Sequence, residues 1–152
     1  MRVLAIDYGE RRLGLAVSDE AGAFAFPAGV LERRGGRRDF AALRALAQER
    51  GVEAIVVGLP LHLDAREGPE AAAARAFAAA LGDATGLPVE TLDERWTTRE
   101  AERSLREQGL VGRRGRERKR VVDEVAATLL LRAWLARRAA QPAGGRCGAG
   151  AE

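Results

Sequence analysis

The chain has 152 residues, of which 47% are hydrophobic and 31% charged, with a formal net charge of +3. A chain of this length can bury a hydrophobic core in one domain without disulfides. Its single cysteine, Cys147, excludes a disulfide framework and a zinc site built from thiolates. No apolar run approaches the roughly 20 residues of a membrane span, and MRVLAID lacks the apolar stretch of a signal peptide, so we expect a cytoplasmic protein.

The first half of the chain predicts three strands and a helix. Two apolar runs, residues 3–6 and 13–17, predict a β-hairpin because a short turn-prone segment containing Gly9 separates them. A third strand is expected over residues 23–31, bent at Pro27. Apolar residues then recur at helical spacing over residues 38–50, and Gly51 supplies the stop.

The second half alternates strands and helices. The unbroken Ile-Val-Val of EAIVVGLP, residues 53–60, predicts a strand buried on both faces. Pro69 opens an alanine-rich helix expected to end near residue 81, and PVETLDE, residues 88–94, predicts a strand that ends on acids. A capping box at Thr97 predicts a helix to about residue 108, the longest helix covers residues 119–138, and residues 139–152 are expected to be a disordered tail.

This order of elements predicts the fold class. Antiparallel strands followed by strand-helix alternation indicate a mixed central sheet with helices on both faces, a three-layer α/β domain over residues 1–138. Ligands of such sheets bind at the carboxyl ends of the strands. Asp7 and Glu94, each at such a strand end, are therefore expected at the same edge.

Three acids are candidates for a site at that edge. Asp7 ends the first strand, although a polar residue in that position is also a common turn former. On the last helix, Asp123 points between Leu130 and Trp134, opposite Arg132, so its charge should be buried. A buried carboxylate needs either a metal or a partner such as a nearby arginine, and both alternatives stay open.

A metal site would explain the three acids together. Mg²⁺ and Mn²⁺ take carboxylate oxygens as ligands, and paired metal ions promote phosphodiester cleavage. A basic run, GRRGRERKR, holds six cations against Glu117 alone, and it is either a solvated loop or a surface that contacts phosphates. Its cations are Arg113, Arg114, Arg116, Arg118, Lys119 and Arg120.

Other chemistries fit the sequence less well. His62 is the only histidine and lies in GLPLHLD with no evident serine or cysteine partner, so a nucleophilic triad is not expected. The glycine-rich phosphate loop of NTPases is missing from the sequence, and the glycines of residues 109–115 do not follow a predicted strand.

The chain resembles the YqgF/RuvX family, a branch of the RNase H-like superfamily related to the RuvC Holliday junction resolvases. The matching segments are IDYGERRLGLAVSD, IVVGLP with Asp64 and the later EGP, TGLPV, LDERWTT and KRVVDEVAATLLL. The resemblance implies an RNase H-like fold with a five-stranded mixed sheet and a nuclease dependent on Mg²⁺ or Mn²⁺. By position it implies the acidic centre Asp7, Glu94 and Asp123, with Asp93 as the competitor for the second place because only one of the two faces the site.

The resemblance also implies partners. Members of the family are associated with maturation of the 5′ end of pre-16S rRNA, and some with cutting Holliday junctions. The expected partners are thus pre-rRNA or branched DNA and ribosomal particles, without a membrane, for a monomer or a homodimer. Arg11, Arg12, Arg95 and the basic run would contact phosphates. Ala65 replaces the glycine that many relatives carry after Asp64.

Two rival functions remain at this point. DYGERRLGLAVSD also resembles the first phosphate motif of actin-like and sugar-kinase ATPases, which need two such domains where 152 residues supply one. The other rival is a nuclease fold kept as an RNA-binding assembly factor without turnover, whose RNA affinity would be sensitive to salt but indifferent to Mg²⁺.

Overall fold

Five strands and three helices follow one another in the part of the chain that the structure, a computed structural model, describes: residues 1–59, 68–93 and 115–140. In chain order they are β1 (Val3–Asp7), β2 (Arg12–Ser18), β3 (Ala25–Glu32), α1 (Gly36–Arg50), β4 (Ala54–Leu59), α2 (Pro69–Thr85), β5 (Val89–Asp93) and α3 (Gly115–Ala140).

The strands form one mixed sheet in the order β3-β2-β1-β4-β5. β2 runs antiparallel to both β1 and β3, whereas β1, β4 and β5 are parallel. The predicted five-stranded mixed sheet is confirmed. Because β3 runs in the direction of β1, four strands end at one edge, which we call the carboxyl edge; it includes Glu32, Asp7, Leu59 and Asp93.

Helices cover both faces of this sheet. Alternate residues of β1 point to opposite sides, so that Leu4 and Ile6 pack in a core with α1 and α2 while Val3 and Ala5 pack against α3. β4 is buried over its whole length, as predicted for a central parallel strand. Helix α3 lies across β1, β2 and β3 and completes the third layer.

A glycine sets the distance between α3 and the sheet. A Cβ added at Gly14 of β2 would overlap the backbone carbonyl of Asp123, so only glycine allows this close approach. The contact fixes the turn of α3 that contains Asp123 directly above Gly14 of β2, at the carboxyl edge.

The element boundaries differ from the predicted ones by a few residues. α2 continues to Thr85 instead of ending near residue 81, because the left-handed residue that stops it is Gly86, at φ 73°. α1 begins at Gly36, two residues early, and ends at Gly51 as predicted. α3 covers Gly115–Ala140, so residues 139 and 140 belong to this helix and not to the predicted tail.

Other predictions fall beyond the described residues. The helix expected over 97–108 and the tail from residue 141 onward lie outside them. Among the helices that the structure does describe, none combines the length and the apolar character needed to cross a membrane.

The outer strand β3 has an unusual surface. Phe24, just before it, and Phe26, within it, are 67% and 55% exposed, the two most exposed large hydrophobic side chains of the described residues. Pro27 lacks an N–H group and Gly29 has a φ of 98°, which makes β3 irregular along its paired edge.

Candidate active site

Asp7 ends β1 between two glycines. Its Cα partner on β2 is Gly14 and its partner on β4 is Gly58. Laterally paired residues point to the same face of a sheet, and both lateral partners of Asp7 are glycines, which carry no side chain. The alternation of β1 directs the Asp7 carboxylate to the face that carries α3.

Asp123 contacts Gly14 from the side of α3. Its backbone carbonyl contacts Gly14, so Asp7 and Asp123 adjoin one residue although their positions in the chain differ by 116. The expectation that Asp123 is buried was wrong, because 22% of its side chain is exposed. Among the residues of α3 whose burial is described, the first buried one is Val125, and Asp123 lies before it at the carboxyl edge.

Asp123 is paired with Arg12. The Nε of Arg12, at the start of β2, donates to Oδ2 of Asp123 at 2.8 Å, and both side chains are about one quarter exposed. The arginine partner considered as an alternative for Asp123 is therefore present. Arg12, which the sequence suggested as a phosphate ligand, is thus engaged in an ion pair within the protein.

Successive side chains of β5 point to opposite faces of the sheet, and Asp93 does not point to the face that carries α3. Leu92 packs in the core beneath α3, and Glu90 accepts a hydrogen bond from Nε1 of Trp134 on that helix at 2.8 Å. Val89 packs on the opposite side, with α1 and α2, and Asp93 shares its parity. Asp93 therefore points away from the face of Asp7.

Glu94 lies outside the described residues, as do Arg95, His62 and Asp64. Two of the three predicted acids are hence brought together, and within the described ranges no group of three potential metal ligands occurs. Of the predicted basic residues, Arg11 is exposed in the β1–β2 turn. Arg113 and Arg114 fall outside the description, and the first turns of α3 include Arg116, Arg118, Lys119 and Arg120.

A second ion pair, which the sequence did not indicate, braces the turn after Asp7. Asp39, in the first turn of α1, is 2% exposed and accepts from Nε of Arg33 at 3.3 Å. Nη1 of Arg33 donates to the hydroxyl of Tyr8 at 3.0 Å and to the carbonyl of Gly9 at 3.2 Å. Its guanidinium also lies 5.0 Å from the centre of the Tyr8 ring.

The network keeps Arg33 charged. Partial burial alone would lower the pKa of its guanidinium, but hydrogen bonding and charge attraction from Tyr8 and Asp39 raise this pKa above the ordinary value. Asp39 uses its second oxygen to accept the backbone N–H of Arg34 at 2.9 Å. Asp39 thus ties β3, α1 and the turn that follows Asp7 into one unit. The only sequence signal was an acid in the first turn of a predicted helix.

The chemistry of the donors fits a hard divalent cation. Asp7 and Asp123 offer carboxylate oxygens from two elements that Gly14 holds at close range. Arg12 already neutralises one of these carboxylates, so a bound cation would compete with this arginine for Asp123. Carboxylates of this kind, at the open end of a sheet, are suited to holding Mg²⁺ or Mn²⁺ beside a phosphate.

Comparison with known proteins gives a consistent family. The family model RuvX, described as a Holliday junction resolvase, matches residues 1–137. A protein of Anaeromyxobacter sp. (strain Fw109-5) named "Putative pre-16S rRNA nuclease" is 47% identical over 89% of this chain and 96% of its own length. A protein of the same name from Syntrophomonas wolfei is 42% identical over 89% of this chain and 94% of its own.

Solved structures with the same fold are resolvases. RuvC of T. thermophilus in complex with a Holliday junction substrate superposes with a TM-score of 0.59 at 19% identity, over 92% of this chain and 97% of the other. The Fowlpox virus resolvase bound to Holliday junction DNA gives a TM-score of 0.56 at 8% identity, over 91% and 99%. At these identities the likeness establishes the RNase H-like fold, as the sequence predicted.

Proposed function

The chain belongs to the RuvX family, and we propose that it is a divalent-metal-dependent endonuclease that hydrolyses phosphodiester bonds in structured nucleic acid. The names of its relatives favour pre-16S rRNA as the substrate, and the family resemblance points to its 5′ end. This substrate would place the reaction in the cytoplasm during ribosome biogenesis. The predicted cofactor is Mg²⁺ or Mn²⁺.

One observation carries this proposal: Asp7 is paired with Gly14 in the sheet at the carboxyl edge, and the backbone carbonyl of Asp123 contacts the same glycine. In the proposed site, both carboxylates would hold the cation. When bound, a divalent cation would activate a water molecule and stabilise the leaving oxygen. The Arg33–Asp39 network keeps the β1–β2 turn, and hence the end of β1, in a fixed position.

We assign the third ligand to Glu94 and not to Asp93. Successive strand residues point to opposite faces, and Asp93 has the parity of Val89, which packs away from α3. The family resemblance gives Glu94 as the acid for this place. This assignment predicts opposite outcomes for two neighbouring acids, which makes it testable by a matched pair of substitutions.

Arginines beside the acids would contact the phosphates of the substrate. Arg11 is exposed next to the site, and Arg12 would exchange its carboxylate partner for a phosphate when a metal ion binds Asp123. The proposal extends to the remaining predicted contacts, Arg95, Arg113, Arg114, Arg116, Arg118, Lys119 and Arg120.

Holliday junction cleavage is the second candidate. It is favoured by the description of the family model and by the junction-bound resolvases that share the fold. Paired cuts in a four-way junction would require a homodimer, whereas trimming an RNA end requires only a monomer. The two substrates therefore differ in the oligomeric state they demand.

The decisive experiment compares a pre-16S 5′-leader RNA with a four-way DNA junction, each incubated with the protein in Mg²⁺, Mn²⁺ or EDTA. We expect cleavage of the RNA with either metal and none in EDTA. Asp7→Asn should lower the cleavage rate at least 100-fold while leaving the fold, measured by circular dichroism, intact. Cleavage of the junction alone would transfer the proposal to the second candidate.

The matched pair is Glu94→Gln and Asp93→Asn. We expect the first to abolish cleavage as Asp7→Asn does, and the second to retain most of it because its side chain lies on the other face of the sheet. The reverse result would move the third ligand to Asp93. Metal-independent RNA binding that survives all these substitutions, with no cleavage of either substrate by the unmodified protein, would instead indicate a non-catalytic assembly factor.

A further inference from the structure

A group of arginines that the sequence did not single out lies beside the proposed site. The segment ERRGGRRD, residues 32–39, connects β3 to α1, and β3 ends at the carboxyl edge because it runs in the direction of β1. The backbone N–H of Arg33 donates to the carbonyl of Arg11 at 2.8 Å. The segment therefore lies directly alongside the β1–β2 turn.

This segment has a fixed shape. Arg33 is held by Asp39, Tyr8 and Gly9, and the backbone N–H of Arg34 donates to Asp39. Gly35 has a φ of 128°, a conformation that favours glycine and turns the chain into α1. The buried carboxylate of Asp39 and the backbone conformation of Gly35 thus determine the shape of the segment.

Three arginines project from this fixed segment into solvent. Arg34, Arg37 and Arg38 are exposed, and neither of the ion pairs found in the described part of the chain, Arg12–Asp123 and Arg33–Asp39, involves them. Together with Arg11 they outnumber the exposed acids of the same two segments, Glu10 and Glu32. We call Arg34, Arg37 and Arg38 the α1 arginines.

The neighbouring aromatic rings are not available for stacking on bases. Tyr8 and Phe40 both pack on Phe77 of α2, with ring centres 5.1 and 5.4 Å apart, and Tyr8 also carries the Arg33 guanidinium. Aromatic side chains that bind single strands present a free face to each base. A surface of arginines without such a face suits the phosphate backbone.

The α1 arginines lie on the other side of the sheet from α3. Asp7 and Asp123 face α3, whereas the segment 32–39 leads into α1, which covers the opposite face. A nucleic acid that reached from the basic start of α3 to the α1 arginines would cross the carboxyl edge and pass over Asp7. The two basic regions would therefore hold two different parts of one substrate.

We propose that Arg34, Arg37 and Arg38 form a second phosphate-binding surface, which holds the backbone of the substrate beyond the segment that is cut. The identity of the partner as nucleic acid rests on the proposed function. The surface contributes affinity without sequence preference, and it requires a substrate long enough to reach across the carboxyl edge.

The test replaces all three arginines by glutamine and measures binding of the pre-16S leader RNA and of the DNA junction at several salt concentrations. The Arg34→Gln, Arg37→Gln, Arg38→Gln protein should bind about 10- to 100-fold more weakly near 0.1 M salt, with the salt slope reduced by about 2 to 3. Extending a short oligonucleotide substrate should lower KM for the unmodified protein but not for this variant.

The matched control removes three exposed arginines elsewhere, by Arg44→Gln, Arg132→Gln and Arg137→Gln on the outer faces of α1 and α3. The net charge of both variants is the same, so equal loss of affinity in the control would overturn the proposal, as would unchanged binding by the α1 variant. Because binding is measured without turnover, these results remain distinguishable from a failure of the nuclease proposal, which would show as absent cleavage by the unmodified protein.

Discussion

At the scale of single residues, Arg12 takes part in both proposed binding events, that of the metal ion and that of the phosphate. Its guanidinium neutralises Asp123 at 2.8 Å, where a bound cation would neutralise the same carboxylate. The two positive groups therefore compete for one partner, and a bound cation would release Arg12 toward a phosphate. Metal binding and substrate binding would then support each other.

Replacing Arg12 by glutamine tests this competition without any turnover. We expect Arg12→Gln to bind Mn²⁺ about two- to fivefold more tightly in the absence of substrate, since a partly exposed ion pair contributes roughly 0.2–1 kcal/mol that the metal no longer has to overcome. Titration calorimetry measures the affinity. Arg11→Gln removes the same charge from the adjacent exposed position, and an equal gain there would show that the pair with Asp123 has no part in it.

Asp39 should matter for stability more than its surface neighbours do. Its carboxylate is buried and receives hydrogen bonds from Arg33 and Arg34. Asp39→Asn keeps the shape but leaves Arg33 without its charge partner, at a cost of about 2 kcal/mol in the free energy of unfolding. This corresponds to a melting temperature about 4–8 °C lower. The exposed Glu32→Gln serves as the control, and an equal fall there would contradict this account.

At the scale of elements, the contact between α3 and β2 depends on Gly14. A methyl group at this position would overlap the backbone carbonyl of Asp123, and a helix backbone cannot move aside as a side chain can. We expect Gly14→Ala to lower the free energy of unfolding by about 3 kcal/mol and to weaken Mn²⁺ binding, because α3 and Asp123 must withdraw. Urea unfolding and metal titration measure the two effects.

Gly82 provides a control of opposite sign. It lies inside α2, where the nearest atom to an added Cβ is a methyl group of Val89 at 3.6 Å, an ordinary contact. Gly82→Ala should therefore raise the free energy of unfolding by about 0.5–1 kcal/mol through its better helix propensity. Destabilisation of similar size in both variants would mean that the close approach at Gly14 is not the cause.

Most elements could be predicted because their signals are local. The apolar run of β4 and the glycine after α1 each act over a few residues, and both predictions are confirmed. The end of α2 was predicted too early because Leu81 is followed by Gly82 and Asp83, both poor helix formers, through which the helix nevertheless continues to Thr85. The Arg33 network was missed because its four partners, Tyr8, Gly9, Asp39 and Phe77, come from three separate parts of the chain: the β1–β2 turn, α1 and α2.

At the scale of the whole molecule, the sequence could predict the candidate site only to the extent that the periodicity of strands and helices gives the direction of a side chain. The end of the first strand and the helical spacing of α3 suggested a shared site for Asp7 and Asp123, and in the structure both residues adjoin Gly14. Helical spacing gives the direction of a side chain but not its depth, so it did not show that Asp123 lies at the carboxyl edge, 22% exposed and paired with Arg12. Such a pair across 111 positions is a property of the assembled fold.

The domain boundary gives a prediction at the same scale. The family match ends at residue 137, and the last residues of α3 that pack on the sheet are Trp134 and Leu135. Deleting residues 141–152, including Cys147, should change the melting temperature by about 1 °C or less and leave cleavage unchanged. A chain ending at residue 132 loses the buried Trp134 and its hydrogen bond to Glu90, and should be destabilised by at least about 3 kcal/mol. Scanning calorimetry on both truncations decides between a dispensable and a structural tail.

The outer edge of β3 has a practical consequence for anyone who handles this protein. Phe24 and Phe26 leave two large exposed rings beside β3, which is an edge strand of the sheet formed by the described residues. This combination promotes association between molecules at the concentrations used for storage and crystallisation. Phe24→Lys is accordingly the first change to make when a concentrated sample turns cloudy, because it adds charge far from the carboxyl edge.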